Sequence, residues 1–192
     1  MPFDYSKLKS CGKDVRIADT AIIRNPDLVS IGDHVAIDDF VIITTGMELG
    51  DYVHISPHCS IIGGRNSLFV MEAFAGLAAG CRVVCGSDDY LGSGLTNPTV
   101  PLPFRANVKL TTVRMERHSL FGTNCVCHPG ITAREGAVVG SCSLITKDLE
   151  PWTLFVGVPC KALKPRQKER MLEMERLLRA HEKQVVEQEK RG

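Results

Sequence analysis

The chain has no excess of charge of either sign: 23 Lys and Arg stand against 22 Asp and Glu, for a formal net charge of +1. A protein that grips nucleic acid or an anionic membrane carries a basic face or tail, so neither partner is expected. The sequence also lacks any apolar run long enough to span a bilayer, and its first residues lack the apolar core of a secretory signal. It has eight cysteines but no CxxC pair, and Cys125 and Cys127, one residue apart, have poor spacing for zinc. Four of the cysteines, Cys59, Cys81, Cys125 and Cys127, read as buried free thiols in a reducing cytoplasm. At 192 residues the chain is long enough for one domain with a sizeable core.

What it does have is a period. Ile31, Ile37, Ile43, Leu49, Ile55 and Ile61 recur every six positions; Met71, Leu77 and Val83 continue the spacing; Met115, Phe121, Cys127, Ala133, Val139 and Ile145 resume it. Two residues before most of these stands a second, smaller residue, among them Val35, Val41, Val53, Ala75, Cys81, Ser119, Ile131 and Ala137. Six matches neither the 3.6 of an α-helix nor the 2 of a simple strand. It matches a solenoid with flat sides, each pointing one large and one small residue at the axis, about 18 residues to a triangular coil. Gly32-Asp33, Gly50-Asp51, Gly122 and Gly140 supply the turns.

The period organises the chain. Residues 1–16 read as an irregular or short helical cap, 17–83 as the first coils with an interruption at Gly63-Gly64-Arg65-Asn66, and 113–158 as the later coils. Residues 84–112 break the repeat and form a long loop stiffened by Pro98, Pro101 and Pro103. A rigid loop in a regular scaffold points to a binding site, although Asp88-Asp89 could also simply cap a turn. Residues 1–164 thus form the solenoid domain. Residues 165–192 form an amphipathic helix, with Met171, Met174, Leu177, Leu178 and Val185 at helical spacing, lying on the solenoid, on a neighbouring subunit or in solvent.

Two stretches carry a resemblance. GAVVGSCSLITKDLEPWTLFVGVPCKALKPR and HSLFGTNCVCHPGITAREGAVVG resemble the closing segments of the hexapeptide-repeat acyltransferases, and GSDDYLGSGLTNPTVP resembles the loop of galactoside-acetyltransferase-like sugar acetyltransferases. The resemblance covers about residues 17–165. It implies an all-β fold, a left-handed parallel β-helix, assembled as a homotrimer with acetyl-CoA in the groove between subunits and no metal. It implies coenzyme contacts at Thr123 and Ser141 for the pantetheine arm, and at Thr146, Lys147, Lys161 and Lys164 for the phosphates. The nearby Arg166 and Lys168 could join them or merely be solvated.

The family's loop histidine is missing; Asp88 stands in its place. Histidine suits proton abstraction near neutral pH, so His54, which points outward beside Val53 and Ile55, is a second candidate for the base. His58 joins Asp89, Tyr90, Asn97, Thr99 and Arg105 as candidate acceptor contacts, while His34 and His118 read as structural. An amine needs less activation than a hydroxyl, so the missing histidine leans toward an amino sugar. The expected activity is direct N-acetylation of a nucleotide-linked amino sugar through a ternary complex, for surface polysaccharide. The alternatives are sugar O-acetylation, a non-enzymatic scaffold, or a γ-class carbonic anhydrase, whose paired ligand histidines five residues apart have no counterpart here.

Overall fold

The computed structural model describes residues 2–189. Short strands separated by bends lie on three faces, and successive coils stack in parallel. One face stacks Ser10–Cys11, Val29–Ile31, Gly46–Leu49, Leu68–Met71, Thr112–Met115 and Thr132–Ala133. The second stacks Arg16–Ile17, Ala36–Ile37, His54–Ile55, Gly76–Leu77, Leu120–Phe121, Val138–Val139 and Thr153–Gly157. The third stacks Ile22–Ile23, Ile42–Ile43, Ser60–Ile62, Arg82–Val84, Val126–Cys127 and Leu144–Ile145. The result is a left-handed parallel β-helix.

The six-residue period is the cause of this shape. Register sets Ile37 beside Ile55, Leu77 beside Phe121, and Val83 between Ile61 and Cys127. Strands about 4.8 Å apart therefore place each inward side chain on the inward side chain of the next coil. Every large residue of the period is buried, as are Cys59, Cys81, Cys125 and Cys127, together with Cys85, which lies outside the expected set. The solenoid also begins earlier than expected. Ser10 and Cys11 already pair with Ser30 and Ile31, which leaves the 3-10 turn Tyr5–Lys7 as the cap. Both residues of that first strand are exposed, so no apolar signal marks it. The interruption at residues 63–66 folds back on an earlier bend, where the Arg65 guanidinium meets Asn25 and Asp27.

One corner of the triangle carries a column of rings. His34, Tyr52, Phe74, His118 and Trp152 all have left-handed φ, between 49° and 64°. Rings repeated at the coil spacing stack: His34 on Tyr52 at 4.7 Å, Tyr52 on Phe74 at 5.0 Å, Phe74 on His118 at 5.0 Å. Between His118 and Trp152 the intervening coil offers Gly136. A Cβ there would lie 2.4 Å from the indole, so only glycine lets Trp152 lie down across it and approach His118 at 6.0 Å.

A hairpin of Thr153–Gly157 with Cys160–Pro165 closes the last coil, and the helix α1 follows at Glu169–Glu189. Residues 190–192 of the expected helical segment lie outside the described residues. α1 docks on the ring column of its own subunit, through charged residues together with part of the expected apolar stripe. Glu175, Arg179 and Glu182 share one helix face. Glu175 accepts from Arg117 and lies 2.8 Å from His118 Nε2. Arg179 donates to Asp51 and lies over Tyr52 and Phe74, while the Tyr52 hydroxyl donates to Glu182. Met171 and Leu178 are half-buried at this contact; Met174, Leu177 and Val185 stay exposed. An aromatic face attracts a guanidinium, so Arg179 shares this contact with the apolar side chains beside it.

Candidate active site

The long loop is tied at its root. Gly86 and Ser87 pair antiparallel with Leu110 and Lys109, so residues 88–108 leave and return through one narrow neck. Inside, two aspartates organise the backbone. Asp89 accepts from the N–H groups of Leu91 and Ser93 at 3.1 and 2.9 Å, and Asn97 Oδ1 accepts from the Thr99 backbone N–H and hydroxyl. Asp88 accepts from the Asn97 N–H at 3.0 Å and from the Arg105 guanidinium at 2.7 Å. The Arg105 side chain is only 12% exposed, and its Nε is buried without a hydrogen-bond partner among the described residues. That guanidinium and the Asn97 N–H hold the Asp88 carboxyl below the usual carboxylate range, and the Leu91 and Ser93 amides do the same for Asp89.

The loop roofs a cleft of about 620 Å³ against the solenoid. Asp88, Asp89, Tyr90 and Lys109 line one side; His128, Pro129 and Thr146 line the other. The register explains the meeting. Val83 pairs with Cys127 and Cys127 with Ile145, so the loop leaves the solenoid next to His128, with Thr146 one coil further on. Of the acceptor residues expected from sequence, the cleft gathers Asp88, Asp89 and Tyr90; Arg105 stands behind Asp88, and Asn97 and Thr99 brace the loop. His128 and Lys109 were missed. The signal for His128 was available: it lies one coil of about 18 residues before Thr146.

His54 and His58 lie elsewhere. His54 is in register with Ala36 and Gly76 on the second face, its Nε2 2.7 Å from Asp38, in a separate cleft with Arg16 and His34. His58 stacks on Phe40 at 5.1 Å, and its carbonyl accepts from Arg82. Within one chain neither lines the loop cleft.

The residues expected to meet coenzyme A form two groups. Thr123 and Ser141 stand on adjacent coils at one corner, where the Cys142 N–H donates to the Thr123 carbonyl. Lys147, Lys161 and Lys164 are exposed and have no ion-pair partner among the described residues. Arg166 is different. It is half-buried and donates to the carbonyls of His118 and Gly136 at 2.7 and 3.0 Å, and Lys168 lies over the Trp152 ring, so both are spent on the fold. Cys125 and Cys127 are buried, which makes them poor nucleophiles. Among the described residues no group of His, Cys, Asp and Glu could hold a metal ion, and no helix is long and apolar enough to cross a membrane.

No family model matches the chain. Over 170 residues it is 32% identical to the dTDP-4-amino-4,6-dideoxy-D-glucose acyltransferase of Escherichia coli, covering 87% of this chain and 86% of that one. The chain belongs to the hexapeptide-repeat sugar acyltransferases. This acyltransferase is also similar to AntD, an N-acyltransferase from Bacillus cereus solved with dTDP and 3-hydroxybutyryl-CoA: the TM-score is 0.86 at 32% identity, over 92% of this chain and 93% of that one. A variant of AntD solved with dTDP-4-amino-4,6-dideoxyglucose and coenzyme A gives a TM-score of 0.85 at 32% identity, over 91% and 92% of the two chains. A maltose O-acetyltransferase from Clostridium difficile, 16% identical with a TM-score of 0.56 over 85% and 72%, shares the fold alone.

Proposed function

We propose that this acyltransferase moves an acyl group, acetyl in the first instance, from coenzyme A to the amine of a dTDP-linked 4-amino-4,6-dideoxy sugar destined for surface polysaccharide. The observation that carries this is the Asp88–Arg105 pair at the wall of the loop cleft. A carboxylate held ionised attracts a sugar ammonium by charge as well as by hydrogen bonding, whereas a neutral hydroxyl gains the hydrogen bond alone. The E. coli and B. cereus relatives, which are named for or bound to such sugars, support the same acceptor.

Transfer is direct. The acceptor sits under the loop against Asp88, with Asp89 and Tyr90 at its side and Arg105 fixing the carboxylate. The thioester enters past Thr146 on the opposite wall, so Thr146 serves the acyl end in this reading and not the phosphates where the resemblance put it. Thr123 and Ser141 take the pantetheine arm, and Lys147, Lys161 and Lys164 take the phosphates. The working unit is a homotrimer with coenzyme A between subunits, in a reducing cytoplasm that suits eight free thiols. Asp88 and His54 line separate clefts of one chain, so His54 enters the chemistry only if a neighbouring copy presents it; His58 has the same condition.

The test is thiol release from acetyl-CoA with dTDP-4-amino-4,6-dideoxyglucose and with the matching 4-hydroxy sugar. Turnover of the amine at least a hundredfold above the alcohol is expected. Equal turnover of both would assign the protein to O-acylation. A stable, fully active monomer in sedimentation would remove the trimer.

A further inference from the structure

The ammonium form of an amine cannot attack a thioester. It must first lose a proton, and Asp88 is a poor place to put one, because Arg105 and the Asn97 N–H both favour its charged form. The proton therefore needs another acceptor in the same cleft. The histidines differ sharply in what they are already doing. His34 Nδ1 lies 3.1 Å from Asp14, His54 Nε2 2.7 Å from Asp38, and His118 Nε2 2.8 Å from Glu175. His58 is stacked on Phe40, and His181 lies on α1, away from the cleft. His128 is exposed, its ring has no hydrogen-bond partner among the described residues, and it lines the loop cleft.

We propose that His128 is the catalytic base, taking the first proton from the acceptor ammonium held against Asp88. This rests on the N-acyltransfer reading and adds the residue that reading lacks. The backbone places it without help from the loop: its N–H donates to the Ile145 carbonyl at 3.0 Å, and Cys127 is locked between Val83 and Ile145. The ring thus projects from a rigid coil, beside Thr146, and faces Asp88, Asp89, Tyr90 and Lys109 across the cleft. Two carboxylates and one ammonium face it.

The step balances as follows. The ammonium gives one proton to an imidazole nitrogen of His128. The freed amine attacks the thioester carbon, the C–N bond forms, and the C–S bond breaks. The leaving thiolate takes the second amine proton, and His128 returns the first to water. The products are the amide, coenzyme A thiol and one proton.

The experiment compares the parent with His128→Gln and His128→Asn from pH 6 to 9, using acetyl-CoA and dTDP-4-amino-4,6-dideoxyglucose. Coenzyme A binding by calorimetry and emission from the single Trp152 report the fold of each variant; the ring is exposed, so both should fold. Turnover at pH 6.5 should fall about 10²–10⁴-fold with coenzyme A affinity unchanged. The deficit should narrow as the pH rises, because more of the acceptor then arrives already deprotonated. Variants within threefold of an active parent at pH 6.5 overturn the role of His128 and leave N-acyltransfer standing. A parent that turns over no dTDP-amino sugar removes both.

Discussion

Replacing Gly136 with alanine tests how the coil end is locked. Gly136 has φ +70°, a backbone region that costs an L-residue about 1–2 kcal/mol. The new methyl group would lie 2.4, 2.5 and 2.8 Å from three indole carbons of Trp152. Those atoms belong to a rigid ring with Lys168 on it and His118 at its edge, so the ring must lift as a unit. Lifting it forfeits about 0.5–1.5 kcal/mol of aromatic contact and about 0.5–1 kcal/mol of cation–π contact. The whole change should cost about 2–4 kcal/mol, or roughly 5–15 °C in Tm for a chain of this size. Trp152 is the only tryptophan, so its emission should shift to the red in the same variant. Arg166 binds the Gly136 carbonyl and begins the link between the closing hairpin and α1. A lifted indole should therefore also loosen Lys161 and Lys164 and raise the KM for acyl-CoA. A variant whose unfolding free energy from urea titration changes by less than about 0.5 kcal/mol, with unchanged emission, would refute this account of the ring column.

Three further outcomes are expected. Lys147→Ala should raise the KM for acyl-CoA about tenfold or more with near-normal kcat, since a charge-assisted phosphate contact contributes about 1.5–3 kcal/mol; an unchanged KM in steady-state kinetics would remove that contact. His54→Asn should keep turnover within about threefold over pH 6–9, because its ring is committed to Asp38 in a different cleft; a collapse would place the base at an interface between copies and reopen O-acylation. Burial alone would raise the Glu175 carboxyl, but hydrogen bonds from His118 and Arg117 and their charge more than offset it and hold it below its ordinary 4.5. A depressed carboxylate stabilises above the unfolded value and loses that contribution as pH falls. α1 should thus stay docked at neutral pH and release below about pH 4.5. Glu175→Gln should release it at pH 7, read as new cleavage in limited proteolysis around residues 166–169; a variant as resistant as the parent would contradict the docking contact.

The period alone was enough to read the coils. A six-residue repeat of buried side chains admits few other folds, and every large residue it marked is in the core. The loop was legible because it broke that period, and Asp88 because it stood where the resemblance placed a histidine. The first coil was not legible: its strand buries nothing and is held by backbone bonds to Ser30 and Ile31, which leave no trace in composition. The charged part of the α1 docking face was not legible, because only its apolar spacing shows in the sequence. Its partners are a ring column assembled from residues up to 118 positions apart, His34 to Trp152.

By itself the sequence determined the repeat, the inward residues, the turn positions and the place of the loop. Each of these depends on neighbours along the chain or on a fixed spacing of about one coil. Only the tertiary structure decided which side chains meet. It paired Asp88 with Arg105, set His54 against Asp38, and left His128 free under the loop. Whether a histidine is spent on the fold or available for chemistry depends on which ion or ring the next coil brings beside it. That depends on stacking in three dimensions, which a list of residues does not contain.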